Sequence, residues 1–541
     1  MKNIITLLTL IFVGIILWYI NLPVLNYGFT GWAFLLLVLI VLGVFLTTRL
    51  QISSDQKQIK FLSKPSKVFL FFALGLLFYI FILPLGSSKM IRTQAHQQLI
   101  GKVDNGDKIS KHIAPISMDE IRVVDEDLAY LLGEKILGSQ PALGSQVHLG
   151  EFYIQQVNKK LYWIAPLLHS GFFKWMNNKQ GTAGYVMVSA TNERDVKLIQ
   201  NVAGKDVKIK YQPDAYFGSE IRRHIYMNGY MTTGLTDYTF EIDDAGNPYW
   251  VVTKYQKTIG FSGNDAIGVI AVNAQTGEIK EYSIKDTPQW IDRIQPIHFI
   301  EEQLNDWGEL VHGYWNFANA NKLQITEDMT LVYGKDNKSY WYTGLTSVGK
   351  DESAVGFVLV DTRTKKATFY KQSGATEFAA QSSAQGKVQE KGYDASLPIP
   401  YNINNIPTYV MTLKDKGGLV KMFAMVSIND YTIVGVGNTM REALMSYKGA
   451  YNMSGNTIKP NANTDKKTLQ STIVRIQNDV KNGNSFYYFT VTDYPKIFVG
   501  TSQLSNELPI TRVGDVVEIS FDIDNEDVID VSTFKNNSVG K

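Results

Sequence analysis

The residues whose types could carry chemistry are spread along the chain rather than gathered in one motif. His298 and Glu301 are spaced to share one face of a helix, with His312 further along, which is a spacing that could hold a metal ion. The acidic run Asp522–Asp527 alternates as calcium ligands do, but an aspartate stands at the sixth position, where a calcium-binding loop needs glycine. Ordinary surface positions and an exposed acidic loop explain these groups more simply. We therefore predict no metal site and no cofactor.

Catalytic fingerprints are absent from the sequence. It contains no G-x-S-x-G, H-E-x-x-H, G-x-x-x-x-G-K-[ST] or G-x-G-x-x-G pattern. None of the 541 residues is cysteine, which excludes disulfides, thiolate metal sites and cysteine nucleophiles. The formal net charge of +2 predicts no particular polyanionic partner, and the 45% hydrophobic and 12% aromatic content is typical of folded domains.

Aromatic residues that could stack on bases or sugars are concentrated near the C-terminus. Phe486, Tyr487, Tyr488, Phe489 and Tyr494 lie within nine positions of one another, and base or sugar rings stack on such side chains. We select Tyr487, Phe489 and Tyr494 as possible binding-surface residues. Inward and outward alternation in a small barrel would nevertheless place about half of these aromatics in the core.

Five short alternating runs surround these aromatics and predict a compact all-β unit. The runs are Leu469–Ile476, Phe486–Val491, Lys496–Val499, Val516–Phe521 and Val528–Val531. The segment Arg512–Ile519 resembles the Gly-Asp turn and fourth strand of an OB-fold, and the resemblance covers about the last seventy-five residues. It implies a five-stranded barrel that binds oligonucleotides or oligosaccharides. Eight cationic and eleven acidic residues between Thr464 and Lys541 argue against nucleic acid, because phosphate neutralisation dominates such binding.

A repeated pattern occupies the middle of the chain. Each copy consists of an aromatic strand, a loop and a second alternating strand that ends in a turn, and such hairpins need a neighbour to cover their apolar face. The copies are Leu161–Ile164 with Gly184–Thr191, Pro248–Val252 with Gly268–Glu278, Tyr340–Tyr342 with Gly356–Thr364, and Thr408–Met411 with Phe423–Ser427.

The second copy, over Asn247–Tyr282, resembles the PepSY-type repeat of bacterial envelope proteins. Its Tyr-Trp strand is followed by Gly-Val-x-x-Val-x-Ala-x-Thr-Gly-Glu. The resemblance implies small α+β units in which a helix precedes an antiparallel sheet, and it implies a non-catalytic module for protein interaction or inhibition. Helical patterns at Trp290–Trp307 and Thr376–Lys387 fit the helical part of such units.

Three apolar segments near the N-terminus predict membrane-spanning helices. They run over Ile4–Leu22, Gly31–Thr48 and Val68–Leu85, and none contains a charged residue. A hydrocarbon core of about 30 Å requires about 20 helical residues, so each segment is close to the required length. A cleaved signal peptide is the alternative for the first segment, but two further apolar segments follow it directly. The lipid bilayer is therefore a predicted partner.

The cations between these segments predict their orientation. The turn after the first segment carries none, whereas the second loop carries Arg49, Lys57, Lys60, Lys64 and Lys67. Cationic loops are retained in the cytoplasm. Three crossings then place the N-terminus in the cytoplasm and the large C-terminal region outside it.

The predicted architecture is a membrane-anchored α+β protein with five segments. They are a three-helix transmembrane anchor (1–88), a linker with an amphipathic helix over Val124–Leu137 (89–157), tandem PepSY-like repeats (158–452), a second linker (453–467) and an OB-like barrel (468–541).

Three functions remain open. The first is a non-catalytic, extracytoplasmic binding or scaffold protein of the bacterial cell envelope that recognises a protein or an envelope glycan. The second is an enzyme, or an enzyme subunit, that acts on envelope material through carboxylates that no motif reveals. The third is nucleic-acid binding at the cell surface. Paired carboxylates in a cleft would favour the enzyme, and flat aromatic surfaces would favour the scaffold.

Overall fold

The computed structural model has a mixed α+β architecture and describes residues 2–52, 64–109, 112–113, 120–327, 329–334, 338–348, 353–454, 466–481, 484–502, 504–522 and 528–539. The chain divides into two compact units. The first unit consists of Met1–Val103, Ala129–Gln324 and Val360–Ala367. The second consists of Asp104–Leu128, Ile325–Leu359 and Thr368–Lys541.

The helices form an apolar N-terminal group and a second group interspersed with the sheets. The N-terminal group is α1 (Lys2–Asn21), α2 (Gly31–Ile52) and α3 (Lys64–Leu77), and α3 continues through a π-helical turn (Phe78–Ile82) and a 3-10 turn (Leu83–Ser87). The second group is α4 (Thr93–Gln97), α5 (Glu126–Gly138), α6 (Pro141–Gly144), α7 (Phe172–Asn177), α8 (Ile221–Ile225), α9 (Ile297–Glu309), α10 (Glu377–Lys387) and α11 (Met440–Met453).

Two of the N-terminal segments are long and apolar enough to cross a membrane, namely Ile4–Asn21 and Lys67–Ser87. The helix between them has a shorter apolar part, Gly31–Thr47. The helices pack closely at glycine, because a Cβ at Gly14 would lie 3.2 Å from Leu39 and one at Gly43 would lie 3.3 Å from Leu10. Small residues permit such close approach between membrane helices. The third span and the orientation remain predictions.

Among the described residues, a meander of four strands, each hydrogen-bonded to the next, occurs four times. The strands are β3 (Tyr153–Val157), β4 (Lys160–His169), β5 (Tyr185–Ser189) and β6 (Val196–Ile199); β9 (Gly234–Ile242), β10 (Pro248–Ile259), β11 (Ser262–Asn273) and β12 (Ile279–Ser283); β14 (Thr330–Tyr333), β15 (Ser339–Ser347), β17 (Gly356–Asp361) and β18 (Ala367–Tyr370); and β21 (Ile399–Ile403), β22 (Ile406–Lys414), β23 (Val420–Ser427) and β24 (Val434–Gly437).

Short strands complete the sheets or pair with each other. They are β1 (Val103–Gly106), β2 (Val147–Leu149), β7 (Asn201–Val202), β8 (Lys205–Asp206), β13 (Leu323–Ile325), β16 (Ser353–Ala354), β19 (Gly374–Ala375) and β20 (Asp394–Ala395). The predicted strand pairs are present in every copy, as β4 with β5, β10 with β11, β15 with β17, and β22 with β23. Two-residue turns with positive φ join β3 to β4 at Asn158-Lys159 and β21 to β22 at Asn404-Asn405, a geometry that matches strand twist.

Each unit has its own apolar core. In the first unit, Ile164, Tyr185, Phe240 and Trp250 belong to one buried cluster supplied by the first two meanders. In the second unit, another cluster includes Tyr342, Tyr409 and Tyr447. The predicted amphipathic helix over Val124–Leu137 is observed as α5, which begins two residues later.

The last strands close into a five-stranded barrel. They are β25 (Lys466–Lys481), β26 (Asn484–Val491), β27 (Tyr494–Thr501), β28 (Val516–Asp522) and β29 (Val528–Asn536), in the order β25-β26-β27-β29-β28. Strands β27 and β29 run parallel, while the other pairs are antiparallel. This closed barrel fits the prediction of an OB-like domain. Most of the predicted linker before it, residues 455–465, lies outside the described residues, and the predicted domain boundaries stay predictions.

Candidate functional site at the ends of the apolar helices

The tip of the β10–β11 hairpin is bound to the end of the third apolar segment. Ile259 pairs with Ser262 across a two-residue turn in which Gly260 has a φ of +62°. The backbone N–H of Phe261 donates to Ser87 Oγ at 3.0 Å, and the hydroxyl of Ser262 donates to Ser87 O at 2.6 Å. Ser87 is the last residue of the apolar segment and is buried. The hairpin therefore satisfies polar groups that would otherwise be left unpaired there.

His96 makes a third contact with Ser87 and extends the cluster to helix α9. Its Nε2 lies 2.9 Å from Ser87 O, and its Nδ1 lies 3.3 Å from Asp306 Oδ2. The other oxygen of Asp306 is 2.7 Å from Lys89 Nζ. Burial acts to lower the pKa of Lys89, but the hydrogen bond and negative charge of Asp306 raise it overall. We call Ser87, Lys89, His96, Ser262 and Asp306 the Ser87 clasp.

The clasp contains a serine, a histidine and an aspartate, which are the residue types of a hydrolase triad. Their hydrogen bonds determine whether Ser262 could act as a nucleophile. Ser262 Oγ lies 3.3 Å from His96 Nε2. A general base must accept the serine proton at that nitrogen. Here Nε2 faces the carbonyl oxygen of Ser87, which only accepts, and the Ser262 hydroxyl donates to the same oxygen at the shorter distance of 2.6 Å. The arrangement thus holds the chain together and does not activate Ser262 as a nucleophile.

The other helix ends are fixed to the same unit by aromatic residues. The indole N–H of Trp18 donates to the hydroxyl of Tyr226 at 3.0 Å, and that hydroxyl donates to Pro23 O at 2.8 Å. The ring of Phe29 packs edge-on against Tyr255 at 5.7 Å. Because Trp and Tyr favour the membrane–water boundary, these contacts are of the kind expected where spans leave the bilayer.

The three residues of the basic cluster Arg222–His224 make different contacts. The guanidinium of Arg223 lies 4.3 Å from the ring centroid of Tyr19 and donates to Tyr19 O at 3.4 Å. His224 Nε2 is 2.8 Å from Gly277 O, while Arg222 is largely exposed. A cavity of about 230 Å³ lies beside these residues and the end of α1. The cluster is therefore part of the junction with α1, not a separate anion site.

Two buried carboxyl groups have perturbed pKa values. Burial raises the pKa of Glu241 to about 7, against the opposing charge of Arg293. Glu241 Oε1 accepts from Thr239 Oγ1 at 2.9 Å, and its Oε2 has no hydrogen-bond partner within the described chain. In the second unit, burial raises the pKa of Glu377, whose oxygens accept from Thr326 Oγ1 at 2.6 Å and from the N–H of Gly344 at 3.0 Å. Both groups lie in the interior rather than in a cleft.

The residues suggested as metal ligands are not brought together. His298 is exposed and its ring packs 4.6 Å from Phe299, while His312 Nε2 lies 3.2 Å from the amide nitrogen of Asn321. Over the residues that the structure describes, no group of three or more candidate ligands is close enough to hold an ion. The calcium-like run begins at Asp522, the last residue of β28, and its remaining residues, 523–527, lie outside that description.

The three barrel aromatics occupy different environments. Phe489 is only 1% exposed and packs on Phe498 and Phe534 at 5.7 and 5.5 Å, so its ring cannot stack on a ligand. This corrects the expectation of a surface role, because Phe489 lies on the inward-facing side of β26. Tyr487 and Tyr494 are half-buried against the same core, and Lys467 Nζ lies 4.7 Å from the ring centroid of Tyr494.

The outer face of β26 and β27 packs partly against helix α11. Phe486 and Val499 are buried in one cluster with Met445 of α11. Arg441, at the start of the same helix, pairs with Asp530 at 3.0 Å. In OB-like barrels this face of the second and third strands is the usual ligand platform. In this chain a helix of its own second unit covers part of that platform.

The clasp was missed by sequence reasoning because its members are far apart in the chain. Ser87 and Ser262 are separated by 175 positions. One signal was present, since Gln303 and Asp306 are polar residues on the buried side of α9. Buried polar side chains require partners, and that requirement pointed to a polar contact without identifying it.

Comparison with known proteins assigns this chain to no family. No protein-family model matches the sequence, and no curated protein matches it.

Replacing Gly260 with alanine tests the fit of the hairpin tip. A Cβ there would lie 2.4 Å from Ser87 Oγ, on a residue that already has positive φ. Gly204→Ala is the matched control, because Gly204 has a φ of +78° and no atom within 4 Å of the added Cβ. We expect Gly260→Ala to lower the free energy of unfolding by about 1–3 kcal/mol more than the control, measured by thermal unfolding of the full chain in lipid nanodiscs. Equal effects would show that the tip is not closely packed.

Glu241→Gln tests the buried carboxyl group. The folded pKa of about 7 exceeds the ordinary value of 4.5, so the folded state binds the proton more tightly than the unfolded state. The contribution of Glu241 to the free energy of unfolding should therefore be greatest below about pH 4.5, fall as the pH rises to about 7, and level off. The variant should be more stable than the wild type at pH 8, by on the order of 3 kcal/mol, and similar to it at pH 4.5. Parallel stability curves for the two proteins would contradict this assignment.

Phe489→Ala and Tyr487→Ala separate core from surface in the barrel. Removal of the fully buried Phe489 ring should lower the free energy of unfolding by about 3–5 kcal/mol. Removal of the half-buried Tyr487 ring should lower it clearly less. The comparison uses thermal unfolding followed by tyrosine and tryptophan fluorescence, and equal losses would mean that Tyr487 is also a core residue.

Proposed function

We propose that this chain is a non-catalytic, membrane-anchored scaffold of the bacterial cell envelope that presents the regions after Ser87 outside the cytoplasmic membrane to a protein partner. The observation that carries the proposal is the Ser87 clasp. It joins the end of an apolar segment to a β-hairpin, an α-helix and a connecting segment through hydrogen bonds, the Lys89–Asp306 ion pair and the contact of His96 with Asp306. A scaffold needs such a fixed base, because a flexible tether would not set the position of what it presents.

The proposed topology has three crossings with the N-terminus in the cytoplasm. It is supported by the positions of the segment ends, because Trp18, Phe29 and Ser87 contact residues of the first unit that lie between 226 and 262. The five cations of the loop between the second and third segments are at the opposite ends of those helices. That separation is expected when cationic loops remain in the cytoplasm. The repeats are proposed to be PepSY-like modules, supported by helices α9 and α10 preceding the third and fourth meanders.

Binding is favoured over catalysis by the chemistry of the described residues. The carboxyl groups with raised pKa values, Glu241 and Glu377, face the protein interior. Exposed aromatic rings are present instead, and Trp315 and Phe317 are 63% and 78% exposed on the segment after α9. Tryptophan and other aromatic residues dominate the binding energy of protein interfaces. The enzyme alternative would require a reactive group with an open cleft.

A protein is favoured over an oligosaccharide or a nucleic acid as the partner. The barrel has an excess of acidic residues, which disfavours phosphate binding. Its second and third strands are partly covered by α11 through Met445, Phe486 and Val499, which reduces the surface available for stacking on sugars or bases. The exposed aromatic segment at Tyr314–Phe317 is then the better candidate surface.

Cysteine labelling tests the compartment. Because the chain contains no cysteine, each single substitution carries the only thiol. Lys416→Cys, in an exposed turn, should react with a membrane-impermeant maleimide in intact cells, whereas Ser53→Cys in the cationic loop should react only after permeabilisation. The reverse pattern would overturn the proposed orientation.

Affinity capture tests the partner class. The intact protein is isolated from membranes, and co-purifying proteins are identified and quantified. We expect one stoichiometric protein that is lost from the Trp315→Ala/Phe317→Ala double variant and retained by Phe378→Ala, a control whose ring is 59% exposed in the second unit. Loss of about 2 kcal/mol or more of binding free energy is expected when an aromatic hot spot is removed. An unchanged set of captured proteins would contradict this use of the aromatic segment.

A further inference from the structure

A second exposed aromatic surface lies on the first unit and is not explained by packing. We call it the aromatic patch, and it consists of Phe172, Phe173, Met176, Tyr216 and Phe217. Phe173 is 71% exposed and Phe217 is 58% exposed. The rings form a connected cluster, with centroids 5.6 Å apart for Phe172 and Phe173 and 5.0 Å apart for Phe172 and Tyr216. Contiguous exposed apolar surface of this kind marks a binding site.

The backbone holds the patch in its exposed position at a conformational cost. Phe217 has a φ of +55°, which is unusual for a residue with a bulky side chain. Its carbonyl oxygen accepts from Arg223 Nη1 at 3.1 Å and from the N–H of Glu220 at 3.3 Å. Strained residues of this kind persist where the surrounding structure fixes them, and they are concentrated at functional sites.

Arg223 connects the patch directly to the first apolar helix. The same guanidinium donates to Phe217 O and to Tyr19 O, and it stacks on the Tyr19 ring. Tyr19 is in the last turn of α1, which ends at Asn21. The patch is therefore one side chain away from the point where the first candidate span ends. Its surroundings are those of a membrane boundary.

Cationic side chains border the patch. Lys174 is exposed next to Phe173 in α7, and Lys179 Nζ lies 5.7 Å from the ring centroid of the buried Trp175, which contacts Phe172 and Phe217. Arg222 is also exposed, and its charge is paired with Glu220 at 3.3 Å. Aromatic rings prefer the headgroup region of a bilayer, and lysine and arginine beside them attract anionic lipids. This combination matches a lipid surface in both polarity and charge.

We propose that the aromatic patch inserts into the interfacial layer of the lipid leaflet into which the Asn21 end of α1 emerges. It would then act as a lateral support that fixes the tilt of the first unit on the bilayer. This inference rests on the proposed membrane anchoring, but it is independent of the partner and of which side of the membrane the unit occupies.

Site-directed spin labelling of the full chain in nanodiscs that contain phosphatidylglycerol tests the proposal. A nitroxide on Met176→Cys leaves every ring of the patch intact. Phe71→Cys, on the exposed side of α3, gives a reference within the apolar segment, and Lys416→Cys gives a water-exposed reference. The measured quantity is the accessibility of each label to oxygen relative to a water-soluble nickel complex.

The label at position 176 should be protected from the nickel complex, with a depth between those of the two references. In the Phe173→Ser/Phe217→Ser background it should shift towards the value for position 416. A label at 176 that is as accessible to nickel as the one at 416 would overturn the proposal, and so would an unchanged depth in the double-serine background. If the label at position 71 were itself exposed to water, the membrane anchoring would fail as well, which distinguishes the two failures.

Discussion

Hydrogen bonding at the end of an apolar helix constrains the rest of this protein. Inside a bilayer every backbone group must be paired within the helix, but the last carbonyls have no partner further along the chain. In this structure the carbonyl oxygen of Ser87 accepts a hydrogen bond from the Ser262 hydroxyl and faces the ring of His96. The hydroxyl oxygen of Ser87 accepts from the backbone N–H of Phe261. The segment can therefore end abruptly against folded protein. The position of the second meander follows from that contact.

The clasp also explains why polar residues are buried at this place. Asp306 is almost fully buried, and a carboxylate in such a position costs free energy unless it is paired. Lys89 and His96 supply the pairing, and both lie within nine residues of the end of the apolar segment. A charged cluster of this type adds little net stability but disfavours alternative arrangements of the helix end. It is suited to fixing orientation.

Local patterns in the sequence predicted the elements more reliably than the contacts between them. Alternation and the Tyr-Trp strands predicted the four hairpins, because a strand with one buried face must alternate. The five short runs predicted the closed barrel. The surface role expected for Phe489 was wrong, because the inward phase of a strand depends on its register with its neighbours. The clasp could not be predicted, because it joins residues that are distant in the chain and gather only after the second meander has formed.

Ser87 holds the hairpin tip against the end of the apolar segment. Amide hydrogen exchange at Phe261, in the full chain in nanodiscs, tests it most directly when the wild type is compared with Ser87→Ala. We expect exchange at Phe261 to be about tenfold faster in the variant, equivalent to the loss of one hydrogen bond, with no change at Val252 in the middle of the same sheet. Equal exchange at Phe261 in the two proteins would contradict it.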